Sequence, residues 1–557
     1  MRLWPFPLIP LLITVVAMPT AALAEAAPAI SEQEIRADVG FLADDLLEGR
    51  DAGTRGYDLA ARYVAARFEA LGLRQALAGS WYQPVTLSVA RLDRSVKPSL
   101  TIGGRRFENG GDVAIGAFGR ELKQSIEAPA VFVGYGVKSE REKIDDYAGL
   151  DLKGKFAVAL SGAPLGMPSE IGAHLAAEKA LAAERAGAIG LITIPSDGQL
   201  ARIPWERLRE RVDDPMVSWL EADGRPYVRT PDIRGTAYAN DAAAEALLAG
   251  SGRSLAMIRA ETAKKGGAPR GFALKPIVKL ERSSTVTTAA SRNVLAVLTG
   301  SDPALLHEYV LLMAHLDHLG VKESAGGKDK IYNGAMDNAS GVAIMLAVAK
   351  ALATSETRPR RSILFAAVTA EEDGLLGSQF LAKNPVLPVG GRLVGVVNLD
   401  MPVLTYDFRD VIAFGAEHST LGPIVARAAK ASGVALSTDP LPNEGLFARS
   451  DHYRFVQEGV PSVFLMTGFG GPGKEAFERF LKTDYHKPSD QMSLPFHWEA
   501  AAKFARVNYA IARGIADAAD APRWYEGDFF GDAFAPDAPK AARHTVLLRR
   551  QEPSPAP

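Results

Sequence analysis

From Asn293 to about Ala518 the sequence alternates between short apolar runs and longer amphipathic stretches, and no other feature constrains the fold as much. The apolar runs fall at 293–298, 309–314, 362–369, 393–399, 411–414 and 461–466. They are short and rich in branched side chains, as buried strands are. Helical patterns separate most of them, at 341–352, 375–382, 421–431 and 498–515. Strands that alternate with helices predict an α/β fold with a mostly parallel, otherwise mixed sheet sandwiched by helices.

The rest of the chain divides around this unit. Ser31 and Glu34 form a capping box that opens a helix running toward Leu46. Tyr57, Ala61, Val64, Phe68 and Leu71 then recur at helical spacing, and Gly72 stops the helix. Residues 81–89 alternate weakly, as a strand would. From about 100 short strands take over, at 130–137, 155–160 and 191–194, with an Ala-rich helix over 174–186. We read 25–99 and 289–520 as two segments of one domain and 100–288 as an inserted, mainly β domain. The way back out of the insert runs through 262–282. Within the insert Tyr135, His174, Asp145 and Asp146 are scattered, which fits core or surface roles. The extension 521–557 is rich in Pro, Ala and charge, and the sequence predicts disorder after about Asp532.

Residues 1–24 read as a secretory signal peptide. Arg2 opens it, an apolar run follows, and Ala22-Leu23-Ala24 supplies a small-x-small cleavage site. Four prolines interrupt the run, against a membrane anchor, so no stable membrane insertion is expected. The expected location is periplasmic or extracellular. There are 63 basic and 65 acidic residues, so no nucleic-acid partner is implied. The chain has no cysteine, which excludes disulfides, thiolate metal sites and a cysteine nucleophile.

Three of the apolar runs end in metal-type ligands. His315 and Asp317 follow the second, Glu371 and Glu372 the third, and Asp400 the fourth. In open α/β sheets ligands bind beyond the carboxyl ends of the strands. Asp337, just before a helix, and Tyr485-His486, in a late loop, complete the constellation. It suggests a two-metal site with Asp337 as the bridging carboxylate. His315 and Asp400 would complete one metal, Glu372 and His486 the other. One imidazole plus oxygen donors at each suits two Zn2+ per chain. Asp317 is placed to hold the far nitrogen of His315. Glu371 is placed to act as general base toward the bridging water. His318 reads as a supporting or loop histidine. Ser450 reads equally as a helix cap or as part of a loop lining the pocket. Phe469 to Gly473 reads as a lid or a turn.

HLDHLG, NGAMDNASG, TAEEDGLLGS, NLDM and YHKPSD, in this order, resemble the dizinc aminopeptidases of clan MH, metallopeptidase family twenty-eight. VFVGYGV, DDYAGLDLKGK and GAIGLITI resemble the protease-associated domain often inserted in that family. LADDLLEGRDAGTRG is similar to its secreted bacterial members. The resemblance implies a zinc exopeptidase fold and the same ligands and base. It implies further that Tyr485 donates to the oxyanion and that the Asp337-Asn338 peptide is cis. The implied activity is a secreted aminopeptidase acting on peptides with a free N-terminus through a metal-bridging hydroxide. Alternatives on the same fold are a single-zinc glutaminyl cyclotransferase and a non-catalytic receptor-like binding protein. All five ligands are present, which favours the dizinc hydrolase.

Overall fold

The structure is a computed structural model and describes residues 29–543, apart from 211, 213 and 324–326. The expected signal peptide and the last residues of the extension lie outside the described residues.

Among the described residues a short strand, Arg74–Gln75, pairs antiparallel with residues 296–297 of the central sheet, and nine further strands form its main series. In spatial order they are Met216–Trp219, Tyr82–Leu92, Phe272–Leu298, Ser362–Val368, Glu308–His315, Arg392–Leu399, Ser462–Thr467, Asp410–Phe414 and Ala435–Ser437. The four strands from Ser362–Val368 to Ser462–Thr467 are mutually parallel. Those outside them join antiparallel, except the last. The sheet is therefore mixed, with its parallel part at the centre.

Burial explains why the central strands read as unbroken apolar runs. In Glu308–His315 the side chains of Val310, Leu312 and Ala314 face the larger core cluster, while Leu311 and Met313 join a smaller one with Leu381 and Phe455. Both faces are covered, so neither set of alternate residues can be polar. The larger core includes side chains of Glu32–Leu42, Arg55–Ala70, Ser340–Thr354 and Trp498–Ala516. Leu376–Lys383 and His452–Val456 supply the smaller one. Ser340–Thr354 is apolar on nearly every side because it is enclosed on nearly every side. The capping box forms, with Ser31 Oγ accepting the Glu34 N–H at 3.2 Å. The helix it opens ends at Leu42 rather than Leu46.

A second sheet is built from the inserted stretch. Lys123–Phe132, Phe156–Leu160, Gly190–Ile194 and Gly235–Ala239 lie side by side, and all three pairings between them are parallel. The strand Phe272–Leu298 belongs to both sheets. Residues 272–283 pair with Lys123–Phe132, and residues 284–294 pair with Tyr82–Leu92. The boundary read near 288 thus falls inside one continuous strand. The inserted stretch also gives Met216–Trp219 to the edge of the central sheet.

Other expectations need correction. The strand read at 130–137 starts earlier and ends at Phe132, because Gly134 and Gly136 take positive φ and turn the chain. The helix read over 174–186 is two helices, Ser169–Ala177 and Lys179–Arg185, meeting at Glu178. Residues 533–543 are not a loose tail in their described part. The Ala541 amide donates to the Trp524 carbonyl and Lys540 donates to the Gly531 carbonyl, which ties this stretch to the segment carrying the buried Trp524, Phe529 and Phe530.

Candidate metal centre

The expected ligands converge beyond the carboxyl ends of three adjacent parallel strands. His315 is the last residue of its strand, Asp400 follows Arg392–Leu399 directly, and Glu371 and Glu372 follow Ser362–Val368. Left-handed backbone at Ala370 (φ 52°), Met401 (φ 40°) and His486 (φ 54°) turns the chain beside each group of ligands. Such φ values in non-glycine residues cost on the order of 1 kcal/mol each and persist only where the surroundings enforce them.

Asp337 lies at the centre. Its Oδ1 is 3.2 Å from His315 Nε2, and its Oδ2 is 3.2 Å from His486 Nε2. His315 Nε2 is also 3.2 Å from Asp400 Oδ1, and His486 Nε2 is 3.2 Å from Glu372 Oε2. Two clusters result, sharing one carboxylate. Zinc held tetrahedrally at about 2.0–2.1 Å from each donor separates neighbouring donors by about 3.3 Å. The donor spacing and the donor types therefore fit two zinc ions. The Asp337-Asn338 peptide is cis.

The supporting contacts differ in part from expectation. His315 Nδ1 is 3.1 Å from the main-chain carbonyl of Asp317, not from its carboxylate. That carbonyl accepts Nδ1–H and leaves Nε2 free for a metal. The Asp317 carboxylate instead accepts the amides of Glu371 and Glu372, at 3.1 and 3.2 Å. Sequence spacing could place Asp317 beside His315 but could not reveal a partner on the next strand.

Ser450 lines the cavity and does not cap a helix. Its Oγ donates to Asp400 Oδ2 at 2.5 Å and accepts from Asn398 Nδ2 at 2.6 Å. His318 is buried with Nδ1 2.6 Å from Glu372 Oε1. The 469–473 stretch is a tied turn, with Asp410 accepting the Gly470 amide and Phe469 packed on Phe477.

Two residues at the site went unnoticed in the sequence. Asp490 accepts the amides of Met336 and Asp337, at 2.8 and 3.0 Å, and so holds the backbone that carries the Asp337 carboxylate. Arg50, fully buried, donates to the carbonyls of Leu42, Leu316, Asn333 and Gly334. It stitches the loops of His315 and Asp337 together and sets a positive charge under four acids. Burial pulls its pKa down to about 10, while Asp317, Asp490, Asp337 and Glu372 hold it up. YHKPSD ends on Asp490 and LEGRDAG contains Arg50, but neither motif shows which backbone groups those side chains reach.

A small cavity of about 70 Å³ opens on the cluster, lined by Asp337, Glu371, Asp400, Leu446, Phe464 and Tyr485 among others. Burial pushes the Glu371 carboxyl well above its ordinary range, with His315 opposing. Tyr485 stacks on His486 with ring centres 3.9 Å apart. Burial and the nearby Asp337 and Glu372 push its hydroxyl pKa up, so it stays a donor.

Residues 293–512 match the model of Peptidase family M28. The aminopeptidase from Aneurinibacillus sp. strain AM-1 shares the fold, with a TM-score of 0.51 at 21% identity, over 87% of this chain and 94% of that one. Among curated proteins, Aminopeptidase NAALADL1 of Mus musculus is 31% identical over 133 residues, 23% of this chain and 16% of its own. Leupeptin-inactivating enzyme 1 of Streptomyces exfoliatus is 26% identical over 284 residues, 46% of this chain and 56% of its own. The chain thus spans less than two thirds of each of these two relatives.

Proposed function

We propose that this chain, whose residues 293–512 belong to peptidase family M28, is a zinc-dependent aminopeptidase that removes N-terminal residues from peptides. One observation carries the reading: the Asp337 carboxylate presents one oxygen to each of two imidazoles, each at 3.2 Å. His315, Asp337 and Asp400 would hold one zinc, and Asp337, Glu372 and His486 the other. Bound there, the cations would acidify the attacking water and offset charge on the carbonyl oxygen.

The chain's own groups account for the proton transfers. Glu371 faces the cavity between the clusters. Its raised pKa makes it basic enough to take the proton of the attacking water and acidic enough to hand it to the leaving amine. Tyr485 donates its hydroxyl hydrogen to the oxyanion. The cavity's small volume suits one side chain rather than a length of peptide, which supports release from an end.

We read residues 1–24 as an export signal, placing the enzyme in the periplasm or outside the cell, and the inserted stretch as a protease-associated domain. The deciding experiment measures release from aminoacyl arylamides and from their N-acetylated forms, together with zinc per chain. Hydrolysis of only the free-amine substrates with two zincs supports the reading. One zinc with cyclisation of N-terminal glutamine would overturn it in favour of a cyclotransferase. Zinc binding with no turnover would favour a receptor-like protein.

A further inference from the structure

We infer that the helix Ser169–Ala177 of the inserted stretch is a working part of the substrate-pocket wall, fixed there by a clamp of Glu170, His418 and Asp528, so that this clamp helps set which N-terminal side chains are accepted. The specificity half of this rests on the aminopeptidase reading.

The helix lies against the two short turns Pro442–Glu444 and Leu446–Ala448. Between them Gly445 takes φ 59°, and a Cβ there would come within 2.6 Å of Ala173 Cβ. The helix thus touches the main chain beside Leu446, and Leu446, Arg449 and Ser450 line the cavity. Further contacts grip the same segment. Arg202 of the inserted stretch pairs with Glu444 at 3.3 Å, and Glu444 pairs with Arg449 at 3.2 Å. His174 Nδ1 is 2.5 Å from the Tyr453 hydroxyl, and Gln457 donates to Glu178 at 3.3 Å. At the middle of this gripped segment Ser450 holds the ligand Asp400. An unbroken path of contacts runs from the insert to the metal cluster.

The clamp fixes the start of the helix. Glu170 Oε2 is 2.5 Å from His418 Nε2, and His418 Nδ1 is 2.7 Å from Asp528 Oδ2. Asp528 also caps the helix Phe529–Phe534 by accepting the amides of Phe530 and Gly531. One imidazole therefore ties the insert, the catalytic segment and the C-terminal extension together. Its ring packs on Phe447, in the turn that carries Leu446, with centres 5.3 Å apart. With Glu417 these side chains resemble a cation site by type. Their spacing says otherwise: 2.5–2.7 Å is a charge-assisted hydrogen bond, whereas the zinc-type donors stand 3.2 Å apart.

The test uses the full chain carrying Glu170→Ala, Glu170→Gln or Ala173→Leu. Hydrogen exchange is followed over 444–453, and the kcat/KM ratio is measured for leucyl against alanyl p-nitroanilide. Glu170→Ala is expected to speed exchange over 444–453 by about tenfold or more. It should also change the leucyl/alanyl ratio by about fivefold, mainly through KM, with zinc content unchanged. Glu170→Gln, which still accepts from His418, should recover most of both. Ala173→Leu, which crowds Gly445, should change the ratio without touching the clamp. Exchange at the wild-type rate and a ratio within about twofold in both Glu170→Ala and Ala173→Leu would overturn the inference, whatever the melting temperature does. If the wild type cleaves no aminoacyl substrate, the aminopeptidase reading fails, while the exchange arm still decides whether the helix holds this segment.

Discussion

The Asp317 carboxylate accepts the Glu371 amide at 3.1 Å, so a residue just past the end of the strand Glu308–His315 fixes the start of the turn that presents Glu371. The adjacent Glu372 amide goes to the other oxygen of the same carboxylate. Asp317→Asn keeps the shape but offers only one good acceptor for these two amides. We expect zinc affinity and kcat/KM each to fall about 10–100-fold, read by chelator competition and by steady-state kinetics.

Glu371 itself touches none of the donor pairs that define the two clusters. Glu371→Gln should therefore keep two zincs per chain by elemental analysis. Its kcat should fall about 10²–10⁴-fold, the usual contribution of a positioned general base. Near-wild-type turnover in this variant would remove Glu371 from the mechanism.

Chelation should destabilise the protein as well as silence it. Without cations the carboxylates of Asp337, Glu372 and Asp400 face each other, with imidazoles, the buried Arg50 and the cavity-lining Arg449 as counter-charge. The melting temperature should drop on zinc removal and return on zinc addition. His486→Ala should retain about one zinc per chain, since only the Glu372 side loses its imidazole.

Arg50→Met removes the donor for four buried carbonyls and the positive charge beneath the cluster. Breaking a buried charge network in this way costs about 3–5 kcal/mol. Urea denaturation of the zinc-loaded protein should show the loss.

The clamp at His418 gives stability a pH dependence of known sign. Burial disfavours the charged ring, but Asp528 and Glu170 outweigh it and hold its pKa up to about 10. A folded pKa above the unfolded value near 6.5 stabilises the fold fully below about pH 6.5, and this contribution is lost as pH rises through about 10. Asp528, held below its ordinary range by His418 against the effect of burial, sets the acid limit as it protonates. The difference in melting temperature between wild type and His418→Gln should therefore be widest near pH 5–6 and narrow as pH rises toward about 10, leaving only the lost ring packing.

What could be read from the sequence and what could not have one physical origin. His315, Glu372 and Asp400 each stand at the end of an apolar run, so a local pattern marks them. Asp337 and His486 were legible from residue type and the motifs around them. Arg50 was not, because Leu316 and Gly334, which it binds, lie 266 and 284 positions away. Likewise Glu170 and His418 are separated by 248 positions and show no periodicity that could pair them. The mixed outer strands were hidden for a related reason. Strand direction is decided by where the chain returns from, and the long excursion over 100–288 carries no such information locally.

The 27-residue strand Phe272–Leu298 has a mechanical consequence. Polypeptide that leaves one sheet and enters the next without losing its extended form provides no pivot. The overhanging insert is then a cantilever rather than a flap, and sideways excursions must strain ladders on both flanks of a single ribbon. Any limit on the bulk of a substrate would accordingly be set by fixed architecture, not by the opening and shutting of a gate.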